Sequence, residues 1–263
     1  MTTTMQRGIR QGTFREGSLV NSPKRLARIA GLLYLVVGIL GGFAFAAVYS
    51  TMDVASDAAT PAGNLVANAG LVRIGVAADL IQVTAWVFLS LTLYALLRHV
   101  NANAARAMVV LVAIGASISC LNILFVFVGM RVATEATYLA AVGTGGSNAL
   151  AMVLLELQHY GYAIAGIFFG LWLVPLGYLA FKSDMFPKVL GIVLVVGGIS
   201  YLVDTLAAFV APEFTPTIHP LAALLGGVAE ISTLGYLLVK GVRSPLPMDR
   251  PSPAASTPAP ASA

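Results

Sequence analysis

Three acidic residues, Asp79, Asp204 and Glu230, stand inside long apolar stretches, while Glu156 and His159 stand at the edge of another. A carboxylate at mid-bilayer costs on the order of 2.5 to 3.5 kcal/mol on insertion scales, so such groups persist where they are paired, hydrated or used to carry protons. Each acid falls on a stripe of polar or small residues with helical spacing. The stripes are Gly75, Asp79, Gln82 and Trp86; Gly197, Tyr201 and Asp204; and Gly226, Glu230 and Thr233. Small residues on such stripes let helices approach closely and mark inward faces, as Gly166 and Gly170 do further along. The expected site is therefore an intramembrane polar cluster of Asp79, Gln82, Glu156, His159, Asp204 and Glu230, serving either as hydrogen-bonded packing or as a working site.

Glu156 and His159 lie one helical turn apart, the spacing that carboxylate-bridged metal sites use on bundle helices. Only one such pair occurs, so hydration at the interface is its expected role and no metal site is expected. The chain has three histidines, and His99 falls in a loop on the other side, which excludes a zinc hydrolase built on three histidines. A haem would have only His159 and His219 to use, and none is expected. No G-x-S-x-G, phosphate-binding loop, dinucleotide fingerprint or H-E-x-x-H pattern is present, so no catalytic residue is identified and no cofactor is expected. The glycine-rich residues 143–146 read as a turn in an outer loop, and Asp53 and Asp57 as solvated loop surface. Cys120, the single cysteine, reads as a small packed hydrophobe.

The elements that position these residues follow from composition. With 58% hydrophobic and 10% charged residues in 263 positions, the chain lacks the polar surface to cover its apolar mass in water, so the lipid bilayer is its expected partner. The basic residues are scattered among loop ends and tails and form no stripe, which argues against nucleic acid. Six apolar stretches, 29–49, 74–97, 107–130, 160–181, 189–210 and 221–239, each approach the roughly 20 residues that a helix needs to cross ~30 Å of hydrocarbon. Lipid-facing backbone must be hydrogen-bonded within its own segment, and barrel alternation is absent, so the expected fold is an all-α bundle of six transmembrane helices.

Of the 15 Lys and Arg residues, 13 fall in the two tails and the second and fourth connections, against Arg73 and Arg131 alone on the other side. That asymmetry predicts that the N and C termini are cytoplasmic. At ~1.5 Å per residue, Asp79, Asp204 and Glu230 then lie ~8, ~9 and ~13 Å below the outer edges of their stretches, all in the outer half. Residues 149–159 prolong the fourth span past the bilayer or along its surface, and Pro175 is expected to bend it. The first stretch exceeds the roughly 7 to 15 apolar residues of a signal core and reads as a retained span, the alternative being a signal ending in Ala44-Phe45-Ala46 whose cleavage would leave five spans. The expected domains are a disordered tail 1–28, a membrane domain 29–243, and a disordered Pro/Ala/Ser-rich tail 244–263.

Several strings carry a family resemblance: RLARIAGLLYLVVGI (25–39), RIGVAADLIQ (73–82), LYALLRHVN (93–101), AEIS with LLVKGV (229–242), and above all the hairpin from ELQHYGY to ISYLVD (156–204). Together they resemble the bacterial membrane family known as domain of unknown function 4386, over most of the chain. The resemblance implies the six-helix fold, carries over no catalytic role, and places Asp79, His159, Asp204 and Glu230 within its recognisable strings. Three functional readings are open at this point: a structural, regulatory or binding membrane protein; a small-molecule or ion carrier using the intramembrane carboxylates; and an intramembrane enzyme or metal site at Glu156 and His159. Nothing in the residues points to a particular ligand or oligomeric state.

Overall fold

Ser22 and Pro23 set the start of the first helix. Ser22 is an extended N-cap whose side chain accepts from the Arg25 amide at 3.3 Å, and Pro23 takes a first-turn position where a missing N–H is harmless. Residues 23–28 are therefore helical, a correction to the tail boundary that composition suggested. The computed structural model describes residues 22–49 and 58–243; the rest of both tails, and Asp53 and Asp57, lie outside them.

The chain runs α1 (Pro23–Phe43), which continues as a π-helical turn Ala44–Val48, then α2 (Ala59–Ala67), α3 (Ala69–Leu97), α4 (Ala102–Thr134), α5 (Ala136–Leu171), α6 (Leu173–Lys182), α7 (Lys188–Val210) and α8 (Thr215–Val239). A 3₁₀ turn, Pro212–Phe214, leads into α8. No strand occurs among the described residues, and six helices are long and apolar enough to cross a membrane, α5 and α6 counting as one. The fold is an all-α membrane bundle.

Pro175 does bend the fourth span. Lacking an N–H, it cannot bond the carbonyl four residues back, at Leu171, and α5 ends there before α6 resumes at Leu173. At the other end Gly143 has φ 70° and ψ 170°, so the glycine-rich segment is a sharp break inside a helical run instead of an open loop. Arg131 and Glu135 close the α4–α5 corner through bonds of 2.6 and 2.9 Å, which hold the Glu135 carboxyl below its usual range.

Each span packs on the next, and α8 returns to α1, so the six spans close into a ring. The half of the ring toward Pro23 and Val239 is filled by an apolar core that includes Trp86, Leu89, Leu93, Met108, Trp172, Leu176 and Leu237. Toward the far end, α2 lies against α4 and α5 and completes a second apolar cluster with Leu65, Val126, Met130 and Leu155. Outward faces are apolar and exposed, as at Ile74, Leu80 and Val189, which suits contact with lipid. Cys120 is on such a face and exposed, not packed as its type suggested.

Backbone meets backbone between the two halves of the α5–α6 and α7 hairpin. A Cβ on Gly177 would lie 2.7 Å from the Gly191 carbonyl oxygen, and one on Gly198 would lie 2.7 Å from that of Gly170. Both pairs are seven residues apart along their helices, so they share one face and bring backbone onto backbone. Without a hydrophobic drive between helices in lipid, this close fit is the main attraction available to them. Gly177→Ala is expected to lower the unfolding midpoint of the purified protein, at a cost of about 1 to 3 kcal/mol. Gly42→Ala, with nothing within 4 Å of the added methyl, should be neutral or stabilising. Equal effects would contradict the backbone-contact account.

Candidate functional site

The first acid is held by the π turn. Inserting one extra residue into a helical turn rotates the residues beyond it, and here it sets Val48 into the notch of Gly75, where a Cβ would collide with the valine side chain. Tyr49 then reaches one turn further along α3, and its hydroxyl donates to Asp79 Oδ2. Asp79 is 8% exposed, so this α1–α3 bond satisfies a carboxyl that little else in the apolar interior can.

Glu230 is approached from α7. The ring of Tyr201 lies in the notch of Gly226, where a Cβ would stand 2.5 Å from Tyr201 Cζ, and its hydroxyl comes within electrostatic reach of the Glu230 carboxyl one turn on. The contact between Gly197 and Ala229, 2.7 Å to a built Cβ, holds the two helices at the distance this requires. Tyr34 of α1 also stands within electrostatic reach of Glu230 and Tyr201. It is 3% exposed, and its hydroxyl has no hydrogen-bond partner among the described residues.

Tyr162 lies between the two acids, within electrostatic reach of both Asp79 and Glu230. Leu155, Tyr162 and Phe169 recur every seven residues and so share a face of α5. That face points inward: Leu155 is 1% exposed, and Phe169 sets its ring 5.3 Å from Trp86 and 5.6 Å from Tyr162. Tyr162 nevertheless exposes 44% of its surface. Tyr162 and the acids thus lie on the far side of an aromatic layer of Tyr34, Trp86, Phe169 and Trp172, whose neighbouring rings stand 5.3–5.9 Å apart. Asn122 is buried against Gly161, and its Nδ2 has no partner among the described residues.

Asp204 sits above Tyr201 on α7, within electrostatic reach of that hydroxyl. Its Oδ2 lies 2.8 Å from Nδ1 of exposed His219, which donates in the tautomer bearing its hydrogen there, while Oδ1 is buried without a partner among the described residues. Asp79 and Glu230 thus share Tyr162, and Glu230 and Asp204 share Tyr201. Gln82 packs against Gly41, 3.5 Å from a built Cβ. Exposed His159 sets its ring edge against Tyr160 at 5.3 Å, with Glu156 on the preceding turn. Among the described residues no three or more His, Cys, Asp or Glu side chains stand together to hold a metal ion.

Depth along α8 differs from the sequence expectation. The helix starts at Thr215, before the apolar stretch begins, so Glu230 lies ~22 Å from that end and ~14 Å from Val239, past the midpoint. Sequence reasoning named the acids but missed Tyr34, Tyr49, Tyr162 and Asn122. Tyr49 and Tyr162 stand at the ends of their apolar stretches, where an amphipathic ring is usual, so position gave no signal for them. No curated protein and no solved structure matches the chain. The family model described as "Domain of unknown function (DUF4386)" matches residues 29–241, and the chain belongs to that family.

Proposed function

We propose that the chain is a multi-pass inner-membrane binding protein whose working part is a chamber between Asp79, Tyr162 and Glu230, with both termini cytoplasmic. The observation that carries this reading is Tyr162, which points inward and is still 44% exposed. A bundle in which the acids served packing alone would fill that space, because membrane helices gain by close contact. The distribution of Lys and Arg supports the orientation, and it puts the apolar core on the cytoplasmic side and the chamber toward the outer face. A small polar ligand suits walls of hydroxyl and carboxyl groups over an aromatic floor.

A carrier is the second reading. It is favoured by the Tyr34 and Asn122 donors, which have no partner among the described residues and which pure packing would leave as a cost.

Cysteine accessibility tests the chamber. In a Cys120→Ser background, Tyr162→Cys should react with a small, charged, membrane-impermeant thiol reagent added to the face opposite the termini. Ile164→Cys, equally exposed at 44% but on the lipid side of α5, should not react. Protection of both positions, or reaction only from the terminal face, would defeat the reading.

A further inference from the structure

We propose that a groove between α1 and α3 holds one acyl chain of an anionic phospholipid, with the lipid phosphate seated between Arg25 and Arg98.

The groove, of about 470 Å³, is lined chiefly by Leu33 and Val36 of α1 and by Leu80, Ile81, Thr84 and Phe88 of α3. It opens outward, since Ile81 and Phe88 are 56% and 55% exposed. The one polar side chain in its lining, Thr84, already donates its hydroxyl to the Leu80 carbonyl at 2.7 Å. No donor or acceptor is left to hold a headgroup or a polar ligand at this depth, so the occupant is hydrocarbon.

The contacts that set the register of α1 on α3 determine what stands at the end of the groove. Val48 meets Gly75; seven residues back on α1, Gly41 meets Gln82, seven residues on along α3. The two helices therefore run antiparallel and in step. Sixteen residues further back lies Arg25, and sixteen further on lies Arg98, so the register brings the two arginines to one level. Each also follows the groove-lining face of its helix. Arg25, Ile29 and Val36 recur at helical spacing on α1, as do Phe88, Ala95 and Arg98 on α3. Ile29 and Ala95 are exposed and apolar, so the path from the arginines to the groove suits hydrocarbon along its length.

Both arginines are exposed, and neither makes an ion pair among the described residues. Arg98 stands over the Tyr94 ring at 6.0 Å, a contact that consumes none of its N–H donors. At ~1.5 Å per residue, Leu33 and Phe88 lie ~12 and ~15 Å along from the arginines. Half of a hydrocarbon core of ~30 Å is the same distance, so a chain attached to a headgroup at that level reaches the groove. An apolar helix face alone selects no lipid. Two level guanidiniums select a phosphate that carries a net negative charge.

The test is native mass spectrometry of the full chain, released from detergent with equal amounts of phosphatidylglycerol and phosphatidylcholine of identical chains. The expected spectrum shows one retained phosphatidylglycerol, favoured about fivefold over phosphatidylcholine, the scale of one basic residue at a membrane surface. Arg25→Gln with Arg98→Gln should bring the two lipids to parity. Arg106→Gln, which removes an exposed arginine of α4 that already donates to Asn103, should keep the preference. Thr84→Trp, which fills the groove, should cut retention of both lipids several-fold, and Val189→Trp on the lipid face of α7 should not. All five positions are exposed, so these variants keep the fold. Equal retention of the two lipids by the unsubstituted chain overturns the proposal. So does a preference that survives loss of both arginines, undiminished retention in Thr84→Trp, or matching losses in Arg106→Gln and Val189→Trp.

Discussion

A carboxyl group inside a membrane protein needs a donor close by, because hydrocarbon offers none and dissolving the charge there is costly. Most of the architecture beyond the aromatic layer comes from meeting that need with tyrosine. Asp79 takes the hydroxyl of Tyr49 from a neighbouring helix, and Tyr201 of α7 stands within electrostatic reach of Glu230. Tyrosine suits this role because its ring is at home in the apolar interior and only the hydroxyl must be satisfied. These contacts run between helices, so they set rotation and depth, which nonspecific packing in lipid fixes poorly.

Two local features make the pairs geometrically possible. Glycine supplies the notches: Val48 sits over Gly75 and the Tyr201 ring over Gly226, each one turn before the acid that its helix partner reaches. The π turn Ala44–Val48 supplies the rotation that aims Tyr49 across to α3. On the other side of the aromatic layer the bundle needs no such devices. There Trp86, Trp172 and the leucines fill the ring, and the hairpin glycines seal α6 against α7. One molecule is therefore built in two halves, an apolar packed half toward Pro23 and Val239 and a half beyond it that carries the acids.

The fold was legible in the sequence because hydrocarbon thickness acts on every span alike. Length and hydropathy gave six crossings, and Pro175 gave the break at Leu171, since a missing N–H has the same effect in any helix. The inward stripes were legible too: Gly75, Asp79 and Trp86 are buried, as are Gly197, Gly226 and Thr233. Contacts that depend on azimuth could not be read. The π turn shifts Tyr49 without any marker in the string AFAAV, and Tyr162 looks like an interfacial tyrosine until the face it shares with Leu155 and Phe169 is known. Glu230 was placed too near the outer edge because α8 begins in the polar TPTIH segment, ahead of its apolar run. Ser22 and Pro23 were readable as a cap, but the basic residues around them resembled a tail.

The claim on which the rest depends is that tyrosine hydroxyls hold these carboxyls across helix boundaries. A double-mutant cycle on Tyr49→Phe and Asp79→Asn, read by unfolding of the purified protein in detergent, measures that directly. The account predicts a favourable coupling of about 1 kcal/mol, within the range found for interhelical hydrogen bonds. Single-mutant losses that simply add, with coupling below about 0.3 kcal/mol, would contradict it.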